Sequence, residues 1–235
     1  MRAPLFFDRI ARVYRWGEYL SFGKALERCR FSFLDEVSTA SKILTLGEGD
    51  GRFLAELLKE NSQATAAAVD VSAVMLSLLQ SRVKAAGAET RLRTQCTDVR
   101  EFAPGDGGYD LVVTHFFLDC LTESEIAQLM NRLRPHLAPN CRWLVSDFAI
   151  PAKGVRRLFG AAVVSALYLG FWLLTNLQIR KLPELSAVWR ASGFESKRRQ
   201  EFLGGLIYSE IRELQPPAAA ETQRWGALPS EICRN

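Results

Sequence analysis

The sequence predicts an α/β fold in which helices cover both faces of a mostly parallel, seven-stranded sheet that ends in an antiparallel hairpin. Short apolar runs alternate with segments of helical period, a glycine-rich run follows the first strand, and two adjacent strand-like runs close the pattern. The 235 residues, 48% hydrophobic and 24% charged, have the composition of a folded globular protein. Disordered and fibrous classes are therefore excluded.

The first five strands are predicted from short apolar or strand-forming runs at 43–46, 64–69, 90–95, 109–114 and 141–146. Apolar residues at helical spacing predict helices between them, for example from Phe53 to Leu58 and from Ile126 to Leu137. Ser72 is a predicted helix N-cap, and residues 122–125 (Thr-Glu-Ser-Glu) have the form of a capping box.

The last two strands are predicted at 195–203 and 206–214, joined by a tight turn at Gly204 and Gly205. Before them, Pro183 and Gly193 bracket a short helix. We expect one domain over residues 1–214, with a helical cap at 1–40 and an apolar helical insertion at 148–182. Residues 215–235 are expected to form a flexible tail.

The insertion contains 22 residues without a formal charge, 158–179, which is long enough to span a bilayer as a helix. The strands on either side are predicted to belong to one sheet, and a single crossing would separate them. We therefore expect this segment to cover the site as a buried or interfacial helix. Peripheral contact with a membrane surface stays open.

Charge and cysteine content exclude several classes of partner. The formal net charge of +4 comes from scattered basic residues, so no nucleic-acid footprint is expected. Five widely spaced cysteines without a C-x-x-C pair predict neither a disulfide framework nor a zinc site, and no metal is expected. Charges throughout residues 1–30 exclude a signal peptide, so the protein is expected in the reducing cytoplasm.

The glycine-rich run Gly47-Glu48-Gly49-Asp50-Gly51 lies between the first strand and the first helix of the pattern, where a backbone can approach a ligand closely. A dinucleotide fingerprint would need glycine where Arg52 stands, so nicotinamide and flavin cofactors are disfavoured. Glu48 favours a ligand that carries an ammonium or sulfonium. Asp50 is also a good candidate for a helix N-cap.

Two further acids follow the next two strands. Asp70 ends the second strand 19 residues after Gly51, where a carboxylate can accept both hydroxyls of a ribose. Asp98 follows the third strand, where it can accept from an adenine amino group or serve as a turn residue. The glycine loop and the two acids together indicate a nucleoside site.

These residues resemble the class I S-adenosylmethionine-dependent methyltransferases, whose fold is Rossmann-like. The resemblance covers residues 43–147, with the first motif at 44–51, the ribose turn at 69–72, the adenine turn at 97–99 and the fourth strand at 109–114. Residues 7–14 and 21–24 are similar to the N-terminal helix of the ubiquinone and menaquinone biosynthesis methyltransferases, and Tyr14 matches a tyrosine that covers the cofactor there. The chain departs from these patterns at two positions. Arg15 stands where the quinone-biosynthesis enzymes have aspartate, and Thr45 stands where the class I methyltransferases often have an acid.

The resemblance implies S-adenosylmethionine as cofactor, S-adenosylhomocysteine as product, and methyl transfer to a small acceptor, with carbon or oxygen as the favoured atom. The cofactor contacts that it implies are Tyr14, Gly47, Glu48, Gly49, Gly51, Asp70, Val71, Met75, Asp98, Val99 and His115. A catalytically silent protein of the same fold, acting as a membrane-surface or interaction module, is the alternative.

Methyl transfer from a sulfonium is an in-line displacement, in which alignment and water exclusion matter more than a base. His115, at the end of the fourth strand, is either a cofactor contact or a general base that titrates near neutral pH. Asp119 would orient His115 or cap the next helix, and Asp147 is the next candidate base. If the insertion folds over the sheet edge, an apolar chamber suited to a small lipophilic acceptor is predicted from aromatic side chains, namely Phe116, Phe117, Tyr168, Phe171 and Trp172. For Phe116 and Trp172, a place in the hydrophobic core is the alternative.

Overall fold

A computed structural model describes residues 24–151 and 182–215 of the chain. Seven strands in these ranges form one sheet: β1 Lys42–Leu46, β2 Thr65–Asp70, β3 Leu92–Cys96, β4 Tyr109–His115, β5 Leu137–Phe148, β6 Phe194–Phe202 and β7 Ile207–Leu214. The strand order is β3-β2-β1-β4-β5-β7-β6. Neighbours from β3 to β5 pair in parallel, while β7 is antiparallel to both β5 and β6. The predicted mostly parallel sheet with a C-terminal antiparallel hairpin is confirmed.

Six α-helices surround the sheet in the described ranges: α1 Lys24–Phe31, α2 Leu34–Val37, α3 Arg52–Glu60, α4 Ala73–Ala85, α5 Glu123–Leu133 and α6 Leu185–Ala191. Both predicted caps are present. Ser72 accepts a hydrogen bond from the Met75 N–H at the start of α4, and Thr122 and Glu125 form the reciprocal capping box of α5.

Several boundaries differ from those predicted. β5 extends beyond 141–146 in both directions, because it pairs with β7 along seven consecutive positions and with β4 at an additional position before a bulge. β3 begins later than predicted, since Glu89–Arg91 forms a 3-10 turn. The helix expected at Pro183 begins at Leu185 instead.

The sheet separates two layers of helices with different cores. One layer, α2 with α3 and α4, packs against side chains such as Ile43, Leu111 and Leu144, and we name this side the α3 face. The other layer, α5 and α6, packs against side chains such as Val112 and Trp143, and we name this side the α5 face. From Leu111 onward, after the bulge that follows Tyr109, odd positions of β4 point to the α3 face, and so do even positions of β5 such as Leu144.

Parts of the predicted domain plan lie outside the described residues. These parts are residues 1–23 of the cap, most of the insertion including 158–179, and residues 216–235 of the tail. Among the helices in the described ranges, none is long and apolar enough to cross a membrane.

Candidate active site

The predicted site residues follow the carboxyl ends of β1, β2, β3 and β4, which meet at one edge of the sheet. β1 lies between β2 and β4, so the strand order reverses at this point, where open α/β sheets bind ligands. Backbone hydrogen bonds join the loops: the Gly47 N–H donates to the Val69 carbonyl at 2.9 Å, and the Thr97 N–H donates to the Asp70 carbonyl at 3.1 Å. Three of the predicted cofactor-binding segments are thus held together.

Each glycine of the loop after β1 has a positive φ, and each has a different environment. A Cβ on Gly47 would overlap the ring of Phe117, and a Cβ on Gly51 would lie within 2.9 Å of the Leu79 Cα in α4. Gly49, at φ +68°, has nothing within 4 Å of that position. Gly47 and Gly51 are therefore required by packing, whereas Gly49 presents open backbone that a ligand can approach.

Glu48 is buried and caps the helix that follows it. Its Oε1 accepts a hydrogen bond from the Leu54 N–H at 3.2 Å, near the N-terminus of α3, while its buried Oε2 has no hydrogen-bond partner among the described residues. Burial raises the pKa of Glu48 to about 7, and the positive charge of Arg30 opposes that rise. The carboxyl group is therefore poised between its two protonation states near neutral pH.

Asp50 does not cap α3, because the N-cap residue is Gly51 and the carboxylate that accepts from the first turn belongs to Glu48. The Asp50 carboxylate instead bridges two guanidinium groups, with 3.1 Å to Arg52 Nε and 3.0 Å to Arg82 Nη2. Its role is thus to connect the glycine loop to α3 and α4.

Asp70 lies at the end of β2 and is half-buried. Its Oδ1 accepts a hydrogen bond from the Ser72 N–H at 2.8 Å, which holds the carboxylate in place at the start of α4. Val71 and Met75, the predicted apolar contacts to an adenine ring, are half-buried in the same turn. The residues expected to surround a nucleoside are therefore adjacent.

Asp98 forms the turn that was the alternative to a ligand contact. Its Oδ1 accepts from the Arg100 N–H at 2.9 Å, and its Oδ2 lies 3.1 Å from the Arg100 guanidinium. Val99 packs in the core of the α5 face and is 7% exposed. Any contact from Val99 to a cofactor must therefore come from its backbone.

His115 is 3% exposed and points to the α3 face at the end of β4. Its Nδ1 lies 2.9 Å from Ser146 Oγ, its ring packs edge-on against Phe53, and its buried Nε2 has no hydrogen-bond partner among the described residues. Burial lowers the pKa of His115 well below 6.5. Burial thus acts against titration near neutral pH, and the role of His115 as a cofactor contact or a general base stays a prediction.

Asp119 and Asp147 form a buried pair on the α5 face. Asp147 Oδ2 accepts a hydrogen bond from the Asp119 N–H at 3.2 Å, and its Oδ1 accepts from the Phe148 N–H at 2.9 Å. Burial and the neighbouring charge of Asp119 raise the pKa of Asp147 well above its usual range. The structure pairs Asp119 with Asp147, across the sheet from His115, so Asp119 does not orient that imidazole.

The two described aromatics of the predicted acceptor chamber are both half-buried. Phe116 packs against Phe148 with ring centroids 5.4 Å apart, and Phe117 covers Gly47 of the glycine loop. The remaining site residues predicted from the sequence, Tyr14, Tyr168, Phe171 and Trp172, lie outside the described residues. The similarity of the N-terminal segment to quinone-biosynthesis enzymes stays a prediction.

Sequence reasoning missed two arginines. Arg30, on α1, is buried, and its charge opposes the rise in the pKa of Glu48 that burial causes and adds to the lowering of the pKa of His115 that burial causes. Arg82, on α4, binds Asp50 from 32 positions along the chain. No local motif marks either residue, since both act through tertiary contacts with the site.

Comparisons with known proteins place these findings in context. Residues 43–140 match a family model described as a methyltransferase domain. No curated protein matches the sequence significantly.

Solved structures with the same fold include three methyltransferases. The S-adenosylmethionine-dependent methyltransferase SibL, in its apo form, is 18% identical at a TM-score of 0.61, over 87% of this chain and 57% of that chain. The mitomycin 7-O-methyltransferase MmcR is 16% identical at 0.63, over 89% and 60%. The N,N-8-amino-8-demethyl-D-riboflavin dimethyltransferase RosA from Streptomyces davawensis is 20% identical at 0.57, over 90% and 62%. This chain thus spans less than two thirds of their length, and at these identities the likeness shows the fold.

Proposed function

We propose that this chain is a class I S-adenosylmethionine-dependent methyltransferase that transfers a methyl group from S-adenosylmethionine to a small, lipophilic acceptor. The observation that carries the proposal is the convergence of an open glycine loop, Asp70 and Asp98 at the point where the strand order reverses. A loop and a ribose acid at this position suit a nucleoside that bears a positively charged group.

The residues at the sheet edge fit this cofactor. Gly49 leaves room for close approach of a ligand, and Asp70 is held where it can accept from ribose hydroxyls. The buried Glu48 Oε2, without a hydrogen-bond partner among the described residues, suits an ammonium or sulfonium. When bound, S-adenosylmethionine supplies an activated methyl group on its sulfonium.

The chain's own residues then have two tasks, alignment and exclusion of water. The glycine loop is held by Phe117 on one side and by α4 on the other, so its backbone is preorganised. Phe117 supplies apolar surface beside that loop, and Phe116, the preceding residue, adds a half-buried ring that packs against Phe148, which supports a lipophilic acceptor. Within this proposal, the methylated atom is carbon or oxygen.

Where the acceptor must lose a proton, we assign that proton to the Asp119–Asp147 pair rather than to His115. A general base works best when its pKa lies near the pH of the reaction. Burial and the charge of Asp119 raise the pKa of Asp147 and make its carboxylate a stronger base, whereas burial lowers the pKa of His115 and makes its imidazole a weaker one. His115 then serves as a neutral packing group at the end of β4.

The alternative is a catalytically silent protein that keeps the fold. Thr45 favours it, since this threonine stands where the family has an acid, and its buried hydroxyl has no hydrogen-bond partner among the described residues. Peripheral contact with a membrane is part of this alternative. The uncharged sequence 158–179 and the exposed side chains of Ile150 and Leu203 support it.

An isotope experiment separates the enzyme from the silent alternative. The purified protein is incubated with S-adenosylmethionine that carries a deuterated methyl group and with a panel of lipophilic phenols and enols. Transfer of the heavy methyl, seen by mass spectrometry, supports the proposal. If the protein instead binds S-adenosylhomocysteine but methylates nothing in the panel, and sediments with lipid vesicles, the silent module is favoured.

A further inference from the structure

We propose that Asp50 and Arg82 form a positioning pair that fixes the glycine loop against α4 and thereby raises the affinity of the site for its nucleoside cofactor. This inference rests on the proposed function. The pair lies outside the groups that we expect to touch the cofactor or acceptor.

The geometry of the loop supports this role. Asp50 is the fourth residue of the loop, and its side chain is only 11% exposed, turned inwards rather than to solvent. Its two carboxylate oxygens are used separately, since Oδ2 lies 3.0 Å from Arg82 Nη2 and Oδ1 lies 3.1 Å from Arg52 Nε. Arg52 directly follows the loop as the first residue of α3, whereas Arg82 belongs to α4. Of these two arginines, only Arg82 therefore joins the loop to a helix other than the one that follows it.

A second contact joins the same helix to the same loop. Leu79 lies one helical turn before Arg82 on α4, and its Cα and side chain occupy the space where a Cβ on Gly51 would stand. Helix α4 therefore contacts the loop at two successive residues, Asp50 through an ion pair and Gly51 through close packing.

The start of α4 carries the other half of the predicted cofactor site. Ser72 caps this helix, and its N–H binds the carboxylate of Asp70 at 2.8 Å. One rigid helix of 13 residues thus contacts the ribose acid at its first turn and the glycine loop at Leu79 and Arg82. Arg82 fixes the distance between the two halves of the site.

This role differs from a purely structural one. The Arg82 side chain is 35% exposed, and the more buried Asp50 keeps a second partner in Arg52, so we expect loss of the Arg82 ion pair alone to change global stability little. The loop, however, has positive φ at three residues, a conformation that needs local support before a ligand binds. Loss of the pair is expected to cost ligand affinity more than thermal stability.

Calorimetric titration with S-adenosylhomocysteine tests the pair in Arg82→Met, Asp50→Asn and the double variant. We expect each single variant to bind about 3- to 10-fold more weakly, and the double variant to bind no more weakly than the worse single. Arg82→Lys should recover part of the affinity. The matched control is Lys84→Met, which removes a more exposed ion pair with Glu89 from the same helix and should leave affinity unchanged.

Unchanged affinity in Arg82→Met, or losses that add in the double variant, would overturn the inference. An affinity loss that only follows a lowered unfolding temperature would do the same. If the wild-type protein does not bind S-adenosylhomocysteine, the proposed function fails, and hydrogen exchange then tests the pair alone. Faster hydrogen exchange at residues 47–51 in Arg82→Met would still support the positioning pair, and unchanged exchange would refute it.

Discussion

The imidazole of His115 and the carboxylate of Asp147 project from opposite faces of the sheet, although their strands are neighbours. His115 pairs in register with Ser146 and bonds to its hydroxyl, so the next residue, Asp147, points the other way and accepts from the Asp119 N–H. The candidate bases therefore form two separate groups. Each can be removed without disturbing the other.

Replacement of Asp147 by asparagine tests the proposed proton acceptor. Asparagine keeps one oxygen for backbone N–H groups but cannot take a proton, so we expect turnover to fall about 100-fold or more while affinity for S-adenosylhomocysteine is kept. Asp106→Asn, at an exposed ion pair with Arg93, is the control. Full turnover in Asp147→Asn would remove this aspartate from the mechanism.

Replacement of His115 by alanine is expected to leave the shape of the rate–pH profile above pH 6.5 unchanged, since the pKa of His115 is lowered by burial. Stability should depend on this residue at lower pH. The unfolded chain binds the proton more readily, so wild-type stability falls as pH drops below 6.5, and the variant lacks that contribution. Urea unfolding at several pH values measures it. A neutral-pH ionisation in the rate that vanishes in the variant would contradict this account.

Glu48 is expected to affect the pH dependence of stability in the opposite direction to His115. Its pKa rises from 4.5 to about 7 on folding, so its contribution to stability is present below pH 4.5 and is lost as pH rises through 7. At about 1.4 kcal/mol for each pH unit, the full effect is about 3 kcal/mol. Glu48→Gln keeps the acceptor for the Leu54 N–H and should gain stability over wild type as pH rises from 5 to 8, by urea unfolding. Glu56→Gln, exposed on α3, should show no such trend.

Alanine substitutions of the loop glycines should distinguish a role in ligand binding from a role in packing. Gly49→Ala places a methyl group in open space at positive φ, so we expect about 1 kcal/mol of destabilisation and a larger loss of ligand affinity. Gly51→Ala adds a clash with Leu79 and should destabilise by about 3 kcal/mol or more. Thermal unfolding and calorimetry measure both. Equal stability losses in the two variants would show that Gly49 is a packing residue as well.

Much of the fold was predictable because the hydrophobic periodicity agrees along the chain with the residues that cap helices and form turns. Residues 109–114 and 43–46 were apolar enough to be recognised as central strands, and the caps at Ser72 and Thr122 marked helix starts. The length of β5 was not predictable, because Pro139, Asn140 and Asp147 do not favour a strand by themselves. Pairing with β4 at Leu137 and with β7 as far as Phe148 defines the observed ends.

The site was predictable in its glycines and in Asp70, whose places follow from a strand, a turn and a helix. The partners of the charged side chains were not. Glu48 rather than Asp50 caps α3, and Asp50 binds an arginine on the next helix. Opposite faces for His115 and Asp147 follow from strand register, which a sequence without the observed pairing does not specify.

The most direct test of the central claim is calorimetric titration of the wild-type protein and of Asp70→Ala with S-adenosylhomocysteine. Asp70 is expected to accept two hydrogen bonds from ribose hydroxyls, each at about 1.5 to 3 kcal/mol, so the variant should bind about 100-fold more weakly or worse. Asp106→Ala should bind like wild type, and all three proteins should remain folded by circular dichroism. Equal affinity in wild type and Asp70→Ala, or no binding by the folded wild-type protein, would contradict the account.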